Sequence, residues 1–446
     1  MDRRTLLELG VSLATLATST FAVAQTAPPA AAAAPKPPVP KPPLFPDDVQ
    51  FWFETQRIFG NAEYGGALFG EVLSTSSRIK AGDYDSWYDE WNATADKVAK
   101  EGADQLARGH RVSARDSFLR ASTYYFASEF FLHANPKDPR VMRAYKLSVE
   151  TYKQSAALHD QPIKHVEIPY ENTTLPGYLH LVDDSGRPRP TLIMHTGFDG
   201  SVEEMHFSGA RAGVERGYNV LAFDGPGQYG PLHREGLVFR PDWEKVITPV
   251  VDFALKQPGI DPKKIAYMGI SLGGVLAPRA AAFEKRIAAL IANDGLYDYG
   301  AVHRAAARVP ADKYDAFDAS LRAEHAPEVD RALEAAMKAS PTSRWAITHG
   351  MYATGAKTPR GYFAKALEFN VKDGIAEKIS CPTLVLDPED DLFFKGQPQQ
   401  LFDHLTCRKT MIHFSNAEGA GAHCQVGASR LANARIFDWL DETFAG

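Results

Sequence analysis

Three observations predict an α/β fold, in which a mostly parallel eight-stranded sheet carries an N-terminal helical domain and a helical cap insertion. Eight short apolar runs after residue 160 are mostly separated by helix-length segments, the pattern of a parallel sheet covered on both faces. The fifth run ends in Gly269-Ile270-Ser271-Leu272-Gly273 and passes at once into a helix of small residues. The chain has 446 residues, enough for two or more structural units and a large core.

Taken in order, residues 1–24 read as an export signal and are set aside before fold reasoning. Arg3-Arg4-Thr5-Leu6-Leu7 resembles a twin-arginine motif, with Asp2 where Ser or Thr is usual, and the weakly apolar run that follows ends in the A-x-A site Ala22-Val23-Ala24. That run is too short and too rich in Ala, Thr and Ser for a retained membrane span. The expected mature protein is periplasmic or secreted. Residues 25–46, rich in Ala and Pro, read as an extended tether with no capacity to pack. Residues 47–160 read as helix throughout and form the helical domain. Its aromatic anchors are Phe51-Trp52-Phe53, Trp87-Tyr88 and Trp91 at helical spacing, and Tyr124, Tyr125, Phe130 and Phe131 are expected in its core.

From His165 the period changes, and residues 161–446 form the second domain. Runs 165–170 and 175–182 read as a hairpin across 171–174. Runs 191–195, 218–223, 264–268, 287–293, 383–386 and 409–414 complete the eight strands, with 208–216 helical. An insertion at about 297–378 contains amphipathic segments 310–326, 329–339 and 359–369, well placed to cap a site at the C-terminal edge of the sheet.

Composition narrows the partners. The net charge of −6 gives no reason to expect nucleic acid or an anionic membrane as a partner, and the small-molecule substrate expected here rests on the hydrolase motifs below. The 14 His are scattered and no His/Cys spacing suits a metal, so neither a metal nor an organic cofactor is expected. Three Cys are too few for a disulfide scaffold. Cys381 and Cys407 begin neighbouring strands and are open to either a bridge or free buried thiols, while Cys424 is expected to turn away from the chemistry.

G-x-S-x-G in a strand–turn–helix setting is the requirement of a nucleophile elbow, in which glycines two before and two after the serine avoid clashes at the sharp turn. With this elbow after the fifth strand, the arrangement is the layout of the α/β-hydrolase fold. Serine is a weak nucleophile without a base, and the base needs an orienting carboxylate. The acid should follow a late strand, where Leu386-Asp387-Pro388-Glu389-Asp390-Asp391 matches a strand–HGEDD pattern and sets Asp391 on the acid position, with Asp390 as the alternative. The base should lie after the last strand, and His423 is the candidate there, His195 and His206 being its competitors. Leu272 and Phe198, with Gly197 close behind, are the expected oxyanion N–H donors. Asp199, Asp294 and Tyr297 are candidates for contact with substrate.

The runs GFDGSVEEM, FDGPGQ, PDWEKVITPVVDF, GISLGG, AFEKRIAALIANDGLYD, LDPEDDLFFKGQPQ and EGAGAHCQVG resemble one known family. It contains 2,6-dihydroxypseudooxynicotine hydrolase and the fungal pigment-pathway hydrolases that shorten polyketides. The resemblance extends upstream through GHRVSARDSFLRASTYY and LPGYL, and so covers nearly the whole mature chain. It implies a helical domain that helps enclose the pocket, often in a dimer, and a Ser271–Asp391–His423 triad. The chemistry it implies is cleavage of an ester or of a C–C bond next to a ketone. A peptidase fits less well because no propeller-length domain precedes the sheet, and a non-catalytic binding protein would have no use for an intact triad.

Overall fold

The computed structural model describes residues 42–445. The export signal read at 1–24 and most of the tether lie outside the described residues.

Five helices come first: α1 (Val49–Asn61), α2 (Phe69–Ser76), α3 (Tyr84–Ala107), α4 (Arg111–Glu129) and α5 (Pro139–Ala156). Their starts follow from local chemistry. The carboxylates of Asp48, Asp83 and Asp138 accept the free first-turn N–H groups of Phe51, Ser86 and Arg140, and Pro139 has no N–H to leave unpaired. The aromatic residues that spaced these helices interlock in one core. Phe51 lies 4.8 Å from both Trp87 and Phe131, and Tyr124, Tyr125 and Phe130 join them. The tether reading needs correction at its end, because Phe45 is buried against Phe51 with ring centroids 5.4 Å apart.

The sheet follows as β1 (Ile163–Tyr170), β2 (Thr173–His180), β3 (Arg189–His195), β4 (Asn219–Phe223), β5 (Ile260–Ile270), β6 (Ala289–Asn293), β7 (Thr383–Pro388) and β8 (Lys409–Phe414). Its order is β1-β2-β4-β3-β5-β6-β7-β8; β1, β2 and β4 pair antiparallel and the rest parallel. The hairpin is tighter than expected. Tyr170 pairs with Thr173, so Glu171-Asn172 alone make the turn, Glu171 taking a positive φ of 44°.

Alternation along the strands sorts the core into two layers. Leu192, Met194, Ala266, Met268 and Ile291 face a layer closed by α6 (Arg211–Glu215) and the terminal α16 (Ser429–Ala445). Ile193, Leu221, Tyr267, Leu290 and Val385 face the opposite layer. There α8 (Glu244–Ala254) and α9 (Gly273–Phe283) cover them; the short α7 (Tyr229–Glu235) precedes α8, and α15 (Gln397–His404) links β7 to β8.

Between β6 and β7 the insertion folds into α10 (Tyr299–Ala306), α11 (Tyr314–Arg322), α12 (Pro327–Ala339), α13 (Pro341–Thr354) and α14 (Pro359–Ala366). Helices α10 and α13 are additions to the sequence reading. Helix α13 escaped it because Ser343, Trp345, Ile347, His349, Gly350 and Ala353 are all buried, leaving no clean polar face to set a period. It lies against the N-terminal helices, where Trp345 Nε1 donates to the Phe130 carbonyl at 3.0 Å.

All three cysteines are free thiols, so the Cys381–Cys407 bridge left open above is not formed. Cys407 contacts Thr383 Oγ1 at 3.5 Å instead. Among the described residues no helix is long and apolar enough to cross a membrane.

One glycine controls how tightly the elbow docks. A Cβ on Gly274 would fall inside the carbonyl oxygen of Asp294, a backbone atom that cannot swing away. Gly274→Ala should therefore destabilise the fold by about 1–3 kcal/mol, as overpacked cores do. Urea unfolding checks this, and an unchanged midpoint would contradict the stated packing.

Candidate active site

Five loops leave the C-terminal ends of β3, β5, β6, β7 and β8, the edge of a parallel sheet where ligand sites form. Ser271 follows β5 with φ of 59°, a left-handed conformation that costs a non-glycine residue about 1–3 kcal/mol. Its N–H is held by the Asn293 carbonyl at 2.6 Å. Opposite it, the loop after β3 comes so close that a Cβ on Gly197 would stand 2.5 Å from Leu272 N and 2.8 Å from Ser271 Cβ. Of the expected oxyanion residues, Gly197 thus lies against Ser271 and Leu272, and Phe198 is the next residue of the same loop.

His423 lies on a short turn after β8. Its Nε2 is 2.9 Å from Ser271 Oγ and its Nδ1 is 3.0 Å from Asp391 Oδ1. Asp391 is buried and also accepts the N–H groups of Phe393 and Phe394 at 2.7 and 3.1 Å, while Asp390 is exposed. Of the pair Asp390 and Asp391, the one neighbouring His423 is thus Asp391. The rings of Phe393 and Phe394 stand edge-on to His423, with centroids 4.9 and 5.0 Å away, and Phe53 of α1 approaches to 6.3 Å. Helix α1 and the sheet enclose the histidine together.

The other histidine candidates lie elsewhere. His195 Nδ1 donates to the Thr196 carbonyl at 2.6 Å, and its ring packs among Phe223, Trp243 and Tyr267 beneath the β3 loop. His206 Nδ1 meets the Tyr152 hydroxyl at 3.1 Å.

Of the three candidates for substrate contact, Asp294 is corrected most. Its carboxylate is fully buried behind His423, with Oδ2 3.1 Å from the same Nδ1 that meets Asp391. It also accepts Cys424 N–H at 2.7 Å and Gln425 Nε2–H at 2.8 Å. Tyr297 stacks on the exposed His404 with centroids 4.3 Å apart, well placed for the surface and not for Ser271. Asp199 directly follows the oxyanion residues and pairs with Arg57 of α1 at 3.0 Å. Arg57 also holds Glu204 at 2.6 Å, and burial pushes the adjacent Glu54 up to about 8 against the pull of the Arg57 charge. Cys424 does not turn away as expected. Its Sγ sits with His423 and Asp294, their donor atoms within 4.8 Å of one another. Burial raises this thiol to about 12, so it is neutral at ordinary pH.

The electrostatics are those of one imidazole between two carboxyls. Burial alone would depress the His423 imidazolium, but the Asp391 charge, with a further bond to Asp294, carries it well above the ordinary imidazole range. Burial works to raise Asp391, yet the His423 charge and the two loop N–H bonds hold it below the usual carboxylate range. Asp294 goes the other way: burial, with the Asp391 charge added, lifts it to about 6 although its bond to His423 pulls down. Sequence reasoning missed this pairing. The signal was a carboxylate directly after a core strand, where only the fold shows which loop it faces.

A left-handed serine after β5, a carboxylate after β7 and a histidine after β8, on this sheet order, define an α/β-hydrolase. The chain belongs to the esterase FrsA-like family, whose model matches residues 71–372. It is 35% identical over 411 residues to hydrolase LUC6 of Fusarium sp, covering 88% of this chain and 96% of that protein. To the 20-hydroxy-prefusarin hydrolase FUS2 of Gibberella moniliformis it is 34% identical over 409 residues, covering 89% and 96%. The solved 2,6-dihydroxy-pseudo-oxynicotine hydrolase shares the fold with a TM-score of 0.66 at 23% identity, over 86% of this chain and 95% of that one. The protein is therefore a hydrolase of the family that its motifs resemble.

Two negative neighbours stabilise the imidazolium, so removing one must lower its pKa. In Asp294→Asn the His423 ring should lose its proton at least about one pH unit lower, a change of about 1.4 kcal/mol in differential interaction. Ring-nitrogen NMR titration reads this directly. A titration that does not move would mean that Asp294 carries no charge felt by His423.

Proposed function

We propose that this chain is a serine hydrolase that cleaves a carboxylic ester, or a C–C bond next to a ketone, in a medium-sized substrate. The observation that carries the reading is the unbroken line from Ser271 Oγ through His423, at 2.9 Å, to Asp391, at 3.0 Å. In this reading the neutral form of His423 is the base: Ser271 Oγ–H donates to its Nε2 and attacks the substrate carbonyl as the proton passes to the ring. Asp391, seconded by Asp294, stabilises the imidazolium that forms. The negative charge on the carbonyl oxygen develops between the N–H groups of Leu272 and Phe198, where fixed donors are worth most.

Collapse of this adduct breaks the bond to the leaving group and leaves the acyl group on Ser271. For an ester the leaving alkoxide takes the proton from His423. For a β-diketone the departing enolate takes it instead and leaves as a ketone. Water, deprotonated by His423, then releases the carboxylic acid and restores Ser271. The ring-rich surroundings, Phe53, Phe198, Phe393 and Phe394, support an aromatic or polyketide-like acyl substrate, as does the kinship with a 20-hydroxy-prefusarin hydrolase.

Steady-state kinetics on a panel of aryl esters and β-diketones test the reading. Ser271→Ala should lose at least about 10³-fold in kcat on every compound that the unaltered enzyme turns over. The preferred compound class decides between ester and C–C cleavage. Turnover within tenfold of the parent enzyme in Ser271→Ala would refute the serine mechanism.

A further inference from the structure

The loop that carries Gly197 and Phe198 past the serine is tied from behind by a buried chain of side chains outside the reacting groups. His349, on α13, lies with Nε2 2.7 Å from the Phe198 carbonyl oxygen. A carbonyl has no proton to give, so this nitrogen carries the hydrogen. Burial holds His349 down at about 4, so its ring is neutral and its Nδ1 keeps a lone pair. His133 Nδ1 stands 2.7 Å from that lone pair and must donate to it.

On the far side of the His133 ring, Nε2 lies 2.5 Å from Glu129 Oε2 at the end of α4. Two lone pairs cannot face each other at that distance, so a proton lies between them. The donor atoms of Glu129, His133 and His233 converge within 4.8 Å, which raises the question of a metal ion. An ion bound to nitrogen and oxygen at about 2.0–2.2 Å each, at a tetrahedral angle, holds them roughly 3.3 Å apart. The observed spacing is that of a proton. Burial works against ionisation of Glu129, but the His133 charge and its bond, with His233 Nε2 3.6 Å from the other oxygen, hold it at about 2. With Glu129 a carboxylate, His133 donates from both ring nitrogens, to Glu129 and to His349, and His349 donates on to the Phe198 carbonyl.

We propose that Glu129, His133 and His349 form a hydrogen-bonded relay through which the N-terminal helices and the cap fix the oxyanion loop, with His349 as a positioning residue for the reaction at Ser271. The inference rests on the serine mechanism proposed above. The relay holds the Phe198 carbonyl, and Arg57 holds the next residue, Asp199, at 3.0 Å. Together they fix both sides of the Phe198–Asp199 peptide from elements that carry none of the reacting groups. The Phe198 ring also packs edge-on against the His349 ring at 4.6 Å, so a test must separate packing from the hydrogen bond.

His349→Phe keeps a ring and removes the N–H, while His349→Gln restores an N–H at similar reach. Misplacing an oxyanion donor by about 1 Å can cost on the order of 10²-fold in rate. The Phe variant should therefore lose about 10–100-fold in kcat on the best ester of the panel, with KM within about twofold. The Gln variant should recover to within about threefold of the parent kcat. His133→Phe, which leaves the His349–Phe198 contact in place, should lose several-fold and provides the comparison if the first variant does not fold. Parent-like kcat in both Phe variants, or a Gln variant as impaired as the Phe variant, would overturn the relay alone. Turnover that survives Ser271→Ala, measured alongside, would instead remove the serine mechanism and the relay with it.

Discussion

Everything at the site depends on how closely three stretches of backbone approach one another around Ser271. The serine occupies a left-handed conformation that side chains rarely adopt, and its N–H is clamped by the last carbonyl of β6. Gly197 presses on it from the β3 loop and Gly274 lets the Asp294 backbone lie against the start of α9. Without side chains at these points, the loops after β3, β5 and β6 can meet within a few ångströms. The strain at Ser271 persists because the surrounding sheet over-determines it.

That convergence also sets the charge pattern. Asp391 and Asp294 leave different strands and reach the same nitrogen of His423 from two sides, at 3.0 and 3.1 Å. Two carboxylates in one enclosed space cannot both ionise at no cost, and they divide accordingly, Asp391 staying low and Asp294 rising to about 6. Asp391 has the two N–H donors of its own turn, whereas Asp294 has one N–H and the Gln425 amide. The His423 charge acts most strongly on Asp391, while burial and the Asp391 charge together raise Asp294.

The sheet was legible in the sequence because strands buried on both faces are continuous apolar runs and are few enough to be numbered in order. That numbering picked out Ser271, Asp391 and His423 as neighbours, since each follows a particular strand of a known layout. What the sequence did not carry was contact between loops that share no pattern. Asp294 looked like one more turn carboxylate, and Cys424 like a residue directed outward. The register rule for strands fails on the loop after His423, where Cys424 and Gln425 both take positive φ. Helix α13 and the Glu129–His133–His349 chain were hidden for a related reason: buried on several sides, they show neither amphipathic period nor spacing motif.

The N-terminal helices do more than roof the sheet, since Phe53 and Arg57 of α1 touch the surroundings of His423 and the oxyanion loop directly. The central claim remains that one serine, held in a strained turn, becomes covalently bound to the acyl group. Its most direct test is reaction of the folded protein with a fluorophosphonate, followed by proteolysis and mass mapping of the adduct. The account predicts one adduct per chain on the peptide containing Ser271, abolished by prior unfolding. An adduct on another residue, or none on folded protein, would contradict it.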